Sequence, residues 1–135
     1  MTRYALLYAA TVPVFFVIDL VWLGVVARDF YRSQIGSLMA DPIVWWAAIL
    51  FYLLYIAGIM FFAVRPALDA GSWRRAVALG AAFGFFTYMT YDLTNLATLA
   101  GWAVVLTVVD IAWGTVLAAS VATASYAIGR RFFEF

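Results

Sequence analysis

AVALGAAFGFFTYMTYDLTNLATLA, residues 76–100, and WAVVLTVVDIAWGTVLAASVATASYAI, residues 102–128, stand on either side of the single residue Gly101. Each run exceeds the about 20 mostly apolar residues that a helix needs to cross a bilayer. So short a connection forces the two helices into an antiparallel hairpin. Toward the N-terminus two further runs qualify, from about Tyr4 to Ala27 and from about Pro42 to Val64. The expectation is an all-α fold: one integral membrane domain over residues 1–135, a bundle of four transmembrane helices. Pro42 is placed to open the second helix and Pro66 to follow its end. Pro13 lies inside the first span, where a missing backbone donor predicts a kink.

Composition agrees. Of 135 residues 68% are apolar and 11% charged, and the mean hydropathy is +1.03. A soluble domain carries about a quarter charged residues. The eight basic residues are all Arg, and Lys, His and Cys are absent. A near-neutral chain without a basic stripe excludes nucleic acid as a partner. Without Cys there is no disulfide framework, Cys-ligated zinc or iron–sulfur cluster, and without His no ordinary haem ligand. Without Lys there is no Schiff-base cofactor. No cofactor is expected, and the first partner is the lipid bilayer itself.

Orientation follows from the arginines. With four spans, Arg3, Arg65, Arg74, Arg75, Arg130 and Arg131 share one side, against Arg28 and Arg32 on the other. That excess predicts both termini in the cytoplasm. Trp45, Trp46, Trp73 and Trp102 fall at the ends of spans, where indole rings favour the headgroup level. The first run is longer than a signal-peptide core and contains Asp19 and Trp22, so it reads as a retained span.

Three of the seven acids lie inside spans: Asp19, Asp92 and Asp110. A carboxylate in hydrocarbon costs at least about 2.5–3.5 kcal/mol near the centre, so such residues are functional by default. Each lies about nine residues from the outer end of its helix, a depth of roughly 12–14 Å at 1.5 Å per residue. A single polar layer in the outer half of the bundle is therefore predicted. Helical spacing aligns Asp19 with Trp22, Asp110 with Trp113 and Thr107, and Asp92 with Asn95 and Tyr88. Phe51, Tyr52 and Tyr55 fall at matching depth on the second span. Three desolvated carboxylates close together cannot all stay ionised, so the layer holds either a proton or a cation. If a metal binds there, Asp19, Asp92 and Asp110 are its ligands, and a hard ion such as magnesium, calcium or sodium suits an all-oxygen set. The competing reading is structural: buried Asp tying helices together through indole, phenol and amide donors. The first loop, Arg28 to Met39, mixes charge with Phe30, Tyr31, Ile35, Leu38 and Met39. It reads either as a short helix covering the acidic layer or as a loop resting on headgroups.

Asp19-Leu20-Val21-Trp22-Leu23-Gly24, Phe30-Tyr31-Arg32, Tyr91-Asp92-Leu93-Thr94-Asn95-Leu96-Ala97-Thr98 and Asp110-Ile111-Ala112-Trp113-Gly114 occur in that order. In these strings the chain resembles a bacterial family of predicted membrane proteins, domain of unknown function 2177, over nearly its whole length. The resemblance implies four transmembrane helices in a bacterial inner membrane and no established reaction. The positions it marks include Asp19, Trp22, Tyr91, Asp92, Thr94, Asn95, Asp110 and Trp113, which are the candidate ligand-binding residues.

Three functions compete. The first is binding or transport of a small cation, a proton or a polar headgroup. In it Asp19, Asp92 and Asp110 supply charge, Tyr91, Thr94 and Asn95 orienting bonds, and Trp22 and Trp113 walls. A cationic amine would also suit those rings. The second is a membrane enzyme acting on lipid or isoprenoid substrates with one Asp as base and another as acid. The third is a structural subunit of a larger membrane complex. Four spans enclose little volume, so a conducting path would call for a homodimer.

Overall fold

A computed structural model describes residues 1–135. All of its regular structure is helical. Helix α1 runs over Thr2–Val26, α2 over Arg28–Ile35, α3 over Trp45–Asp69, α4 over Trp73–Thr98 and α5 over Val104–Phe132. A short 3-10 turn, Gly36–Leu38, follows α2. Helix α1, α3 and α5 are each long and apolar enough to cross a membrane. That choice of structure has a simple cause: in lipid an isolated apolar segment can satisfy its backbone only by bonding to itself as a helix. Helix α4 is as long, but Thr87, Tyr88, Thr90, Tyr91, Asp92, Thr94 and Asn95 make its second half the most polar of the four rods.

The boundaries differ from the sequence reading in instructive ways. Helix α3 begins at Trp45, because the Val44 carbonyl, not one at Pro42, accepts the first amides, those of Ala47 and Ala48. Nor does Pro66 follow the end of that helix. The rod continues through it to Asp69, after a wide turn over Met60–Val64. Proline has no N–H and crowds the carbonyl four residues back, and the wider turn relieves both. Pro13 sits within an uninterrupted α1. The connection between α4 and α5 is longer than Gly101 alone, spanning Leu99 to Ala103 with Gly101 at φ +83°. Trp102 in that turn is buried, with its indole N–H on Thr107 Oγ1 at 3.1 Å, rather than facing an interface.

The α3–α4 turn is closed by chemistry visible in the sequence. Gly71 sits at φ +60°, and its amide and that of Ser72 bond back to Leu68 and Ala67, each at 3.0 Å. This is a Schellman close, in which the left-handed position favours glycine. Ser72 then caps α4, its Oγ accepting from the Arg75 amide at 3.3 Å.

Helices α4 and α5 form the most extensive helix pair. Small residues make it close: a Cβ on Gly80 would lie 2.7 Å from the Ala118 carbonyl, and one on Gly84 would strike the Gly114 backbone. Such four-residue spacing of small side chains lets backbones meet and gain dispersion contact where lipid supplies no hydrophobic drive. The apolar core occupies the half of the bundle nearer the chain termini, with Leu7, Ile59, Val64, Leu117 and Val121 fully buried. There the hydroxyls of Thr11 and Ser125 are hydrogen-bonded at 2.9 Å between α1 and α5. Both termini lie together, with Arg3 donating to the Glu134 carbonyl at 3.0 Å and the Tyr4 and Phe135 rings 4.7 Å apart.

Candidate functional site

At the opposite end the packing opens. A cavity of about 580 Å³ lies among all five helices, and nine of its twelve lining residues are hydrophobic. Asp19 from α1 and Asp110 from α5 supply its acids, and they are only 7% and 9% exposed. Each carboxylate has a phenol. Tyr52 on α3 donates to Asp19 Oδ2 at 3.1 Å, and Tyr31 on α2 donates to Asp110 Oδ1. The Tyr31 oxygen in turn accepts from the Trp22 indole N–H at 3.1 Å.

The walls are aromatic. Trp22 and Trp113 stack with centroids 4.4 Å apart and planes 7° from parallel. The helical spacing explains the pair: each Trp stands three residues after its Asp, so acid and indole share one face. Tyr55 and Thr87 meet across the floor at 3.1 Å, and Tyr88 and Tyr91 complete the α4 side. Trp22 also opens a five-residue stretch of wider turns, Trp22–Val26, closed by the Ala27 amide on the Trp22 carbonyl at 2.8 Å. Such turns re-aim side chains and recur at functional sites.

The first loop is a helix, as one of its two readings had it. Ala27, Phe30, Tyr31, Gln34 and Ile35 form its inward stripe, the spacing of an amphipathic surface helix. It lies over the cavity and is tied there by Tyr31. Burial first, then the bond to Asp110, pushes the Tyr31 phenol above its ordinary value, so it remains a donor. The same stripe could have marked Tyr31 as a site residue from sequence; Thr87 carries no comparable signal.

The predicted layer is not a single ring. Asp19, Trp22, Tyr91, Asp110 and Trp113 line the cavity, but Asp92, Thr94 and Asn95 do not. Asp92 is fully buried in the seam behind Asp110, whose carboxyl it adjoins. Neither of its oxygens has a hydrogen-bond partner. Thr94, two residues on and therefore on nearly the opposite face of α4, is exposed and bonds back to its own helix at the Thr90 and Tyr91 carbonyls. Asn95 is half-buried outside the wall. The expected metal set of Asp19, Asp92 and Asp110 is corrected accordingly: no group of three acids lies close enough to hold a metal ion. Arg28 and Arg32 are exposed, and the two ion pairs of the chain, Arg3–Glu134 and Arg65–Asp69, lie elsewhere. Both cavity acids thus lack a basic partner.

The chain belongs to the family described as predicted membrane protein DUF2177, whose model matches residues 4–127. No curated protein and no solved structure matches it.

Proposed function

We propose that this member of the family is a four-span protein of the bacterial inner membrane, with both termini in the cytoplasm. Its cavity, in the outer half of the bundle, binds and transports a small organic cation or cationic headgroup. The arginine distribution and the side-by-side termini support the topology. So does α4: Thr90, Thr94 and Thr98 satisfy their hydroxyls on their own helix, which makes a polar-looking face tolerable in lipid.

The observation that carries the binding role is Asp19 and Asp110 facing one aromatic cavity with no basic residue beside either. An unpaired buried carboxylate is costly, and a cation removes that cost. Ring faces attract the same charge, indole most strongly. The volume decides between cations. A bare divalent ion asks for six or more oxygens at about 2.0–2.6 Å, whereas about 580 Å³ of largely apolar space lies in the range that holds an organic ligand.

Benzyltrimethylammonium and its neutral carbon isostere, neopentylbenzene, test the reading in lipid nanodiscs. The ammonium should raise the unfolding temperature of the wild type and the isostere should not. Asp19→Asn and Asp110→Asn should each weaken ammonium binding by about tenfold or more, some 1.4 kcal/mol. Equal effects of the two probes, or unchanged binding in both variants, would overturn it.

A further inference from the structure

Asp92 is the acid the cavity does not use. Its side chain is 0% exposed, and both carboxyl oxygens are without a donor. Its neighbour is another carboxyl, that of Asp110. Facing this pair are Asp19 from α1, Tyr31 from α2, Tyr52 and Tyr55 from α3, and Tyr88 and Tyr91 from α4. No arginine is among them. Two adjoining carboxyls, one fully buried and one 9% exposed, do not both carry charge without a cation beside them, so in the empty site they share a proton. One proton also gives Asp92 the bond it lacks, its O–H donating to an Asp110 oxygen.

We propose that this shared proton is the counter-charge of the empty site, and that an organic cation settling beside Asp110 displaces it, so the protein exchanges one cation for one proton. The inference rests on the cation-binding reading. In the exchange the Asp92 O–H bond breaks and the proton passes to water. Both carboxylates are then anionic, and the arriving ammonium supplies the positive charge that left. The pair carries one net negative charge before the exchange and one after it, counting the bound cation, so binding adds no charge to the bundle. The Tyr31 phenol is not the source: its proton is held by burial and by Asp110.

Calorimetric titration of the full chain in nanodiscs with benzyltrimethylammonium, in phosphate and in Tris, measures the protons released from the difference in heats. The wild type should release about one proton per cation bound near neutral pH, and its affinity should rise about tenfold per pH unit through that range. Asp92→Asn should still bind, because residue 92 is outside the cavity wall. Its amide donates to Asp110 permanently, so release and pH dependence should both disappear. Wild-type binding with equal heats in the two buffers, or proton release surviving in D92N, overturns the exchange and leaves the cation site standing. Absence of ammonium binding to the wild type overturns both. The wild-type heats decide the matter even if D92N does not fold.

Discussion

The two ends of the bundle handle polarity in opposite ways. At the termini end Thr11 and Ser125 are fully buried, bond to one another across α1 and α5, and sit inside a packed apolar core. At the covered end Asp19 and Asp110 are buried beside a cavity and each accepts from a phenol, and Asp92 lies behind Asp110 with no donor. Polar groups that satisfy each other and leave no space hold helices together. Acids kept beside open volume without a basic partner cost stability, which is the premise of the proposed cation site. The cavity therefore lies where the packing is incomplete, and the apolar core fills the other end.

That contrast predicts where a bulky residue does most damage. Gly84 faces the Gly114 backbone and the Ala118 methyl, on the tight side of the α4–α5 pair. Gly84→Leu should push the helices apart and cost about 3 kcal/mol or more, as overpacked cores do at their worst. Thr90→Leu, on the exposed face of the same helix, should change stability by less than about 0.5 kcal/mol. Reversible unfolding in mixed detergent micelles compares the two. Equal losses would mean that the pair is not tightly packed.

The helical rods and the presence of three buried acids were readable because each follows from cost: long apolar runs have one way to satisfy their backbone, and an acid within them must be explained. Depth was readable as well, since counting residues gives height along a helix. Rotation was not. Whether Asp92 meets the cavity or the seam depends on how α4 turns to bring Gly80 and Gly84 against α5. Counting along one strand of sequence does not contain that relation. Helical spacing aligns Asn95 with Asp92 and the family resemblance marks Thr94, although Thr94 lies on nearly the opposite helix face. Tyr31 was recoverable from the spacing Ala27, Phe30, Tyr31, Gln34, Ile35, but only once that stripe was read as facing inward.

The covering helix depends on the covered end alone. Tyr31→Phe removes both the donor to Asp110 and the acceptor for Trp22 while keeping the ring in place. The expected loss is about 1–2 kcal/mol, because two buried polar atoms lose a partner. Hydrogen exchange should quicken over residues 28–35, and the amides of Leu117 to Ala122 should keep their protection. Uniform loss of protection would mean that the two ends are one cooperative unit and the lid is not separately anchored.

The smallest effect is expected at the opposite end. Thr11→Val keeps the branched shape and removes the hydroxyl that spans to Ser125. Bonds of this kind between helices in lipid average about 0.6 kcal/mol, since the separated helices find other partners. The Thr11 hydroxyl also donates to the Leu7 carbonyl of its own helix, which keeps its backbone amide donor when the hydroxyl is gone. A loss under about 1 kcal/mol, with ammonium binding unchanged, is the expected result. Measured beside Tyr31→Phe, it separates two uses of a buried hydroxyl. A larger loss for Thr11→Val than for Tyr31→Phe would place the decisive polar contact in the packed half, and the difference in character between the ends would fail.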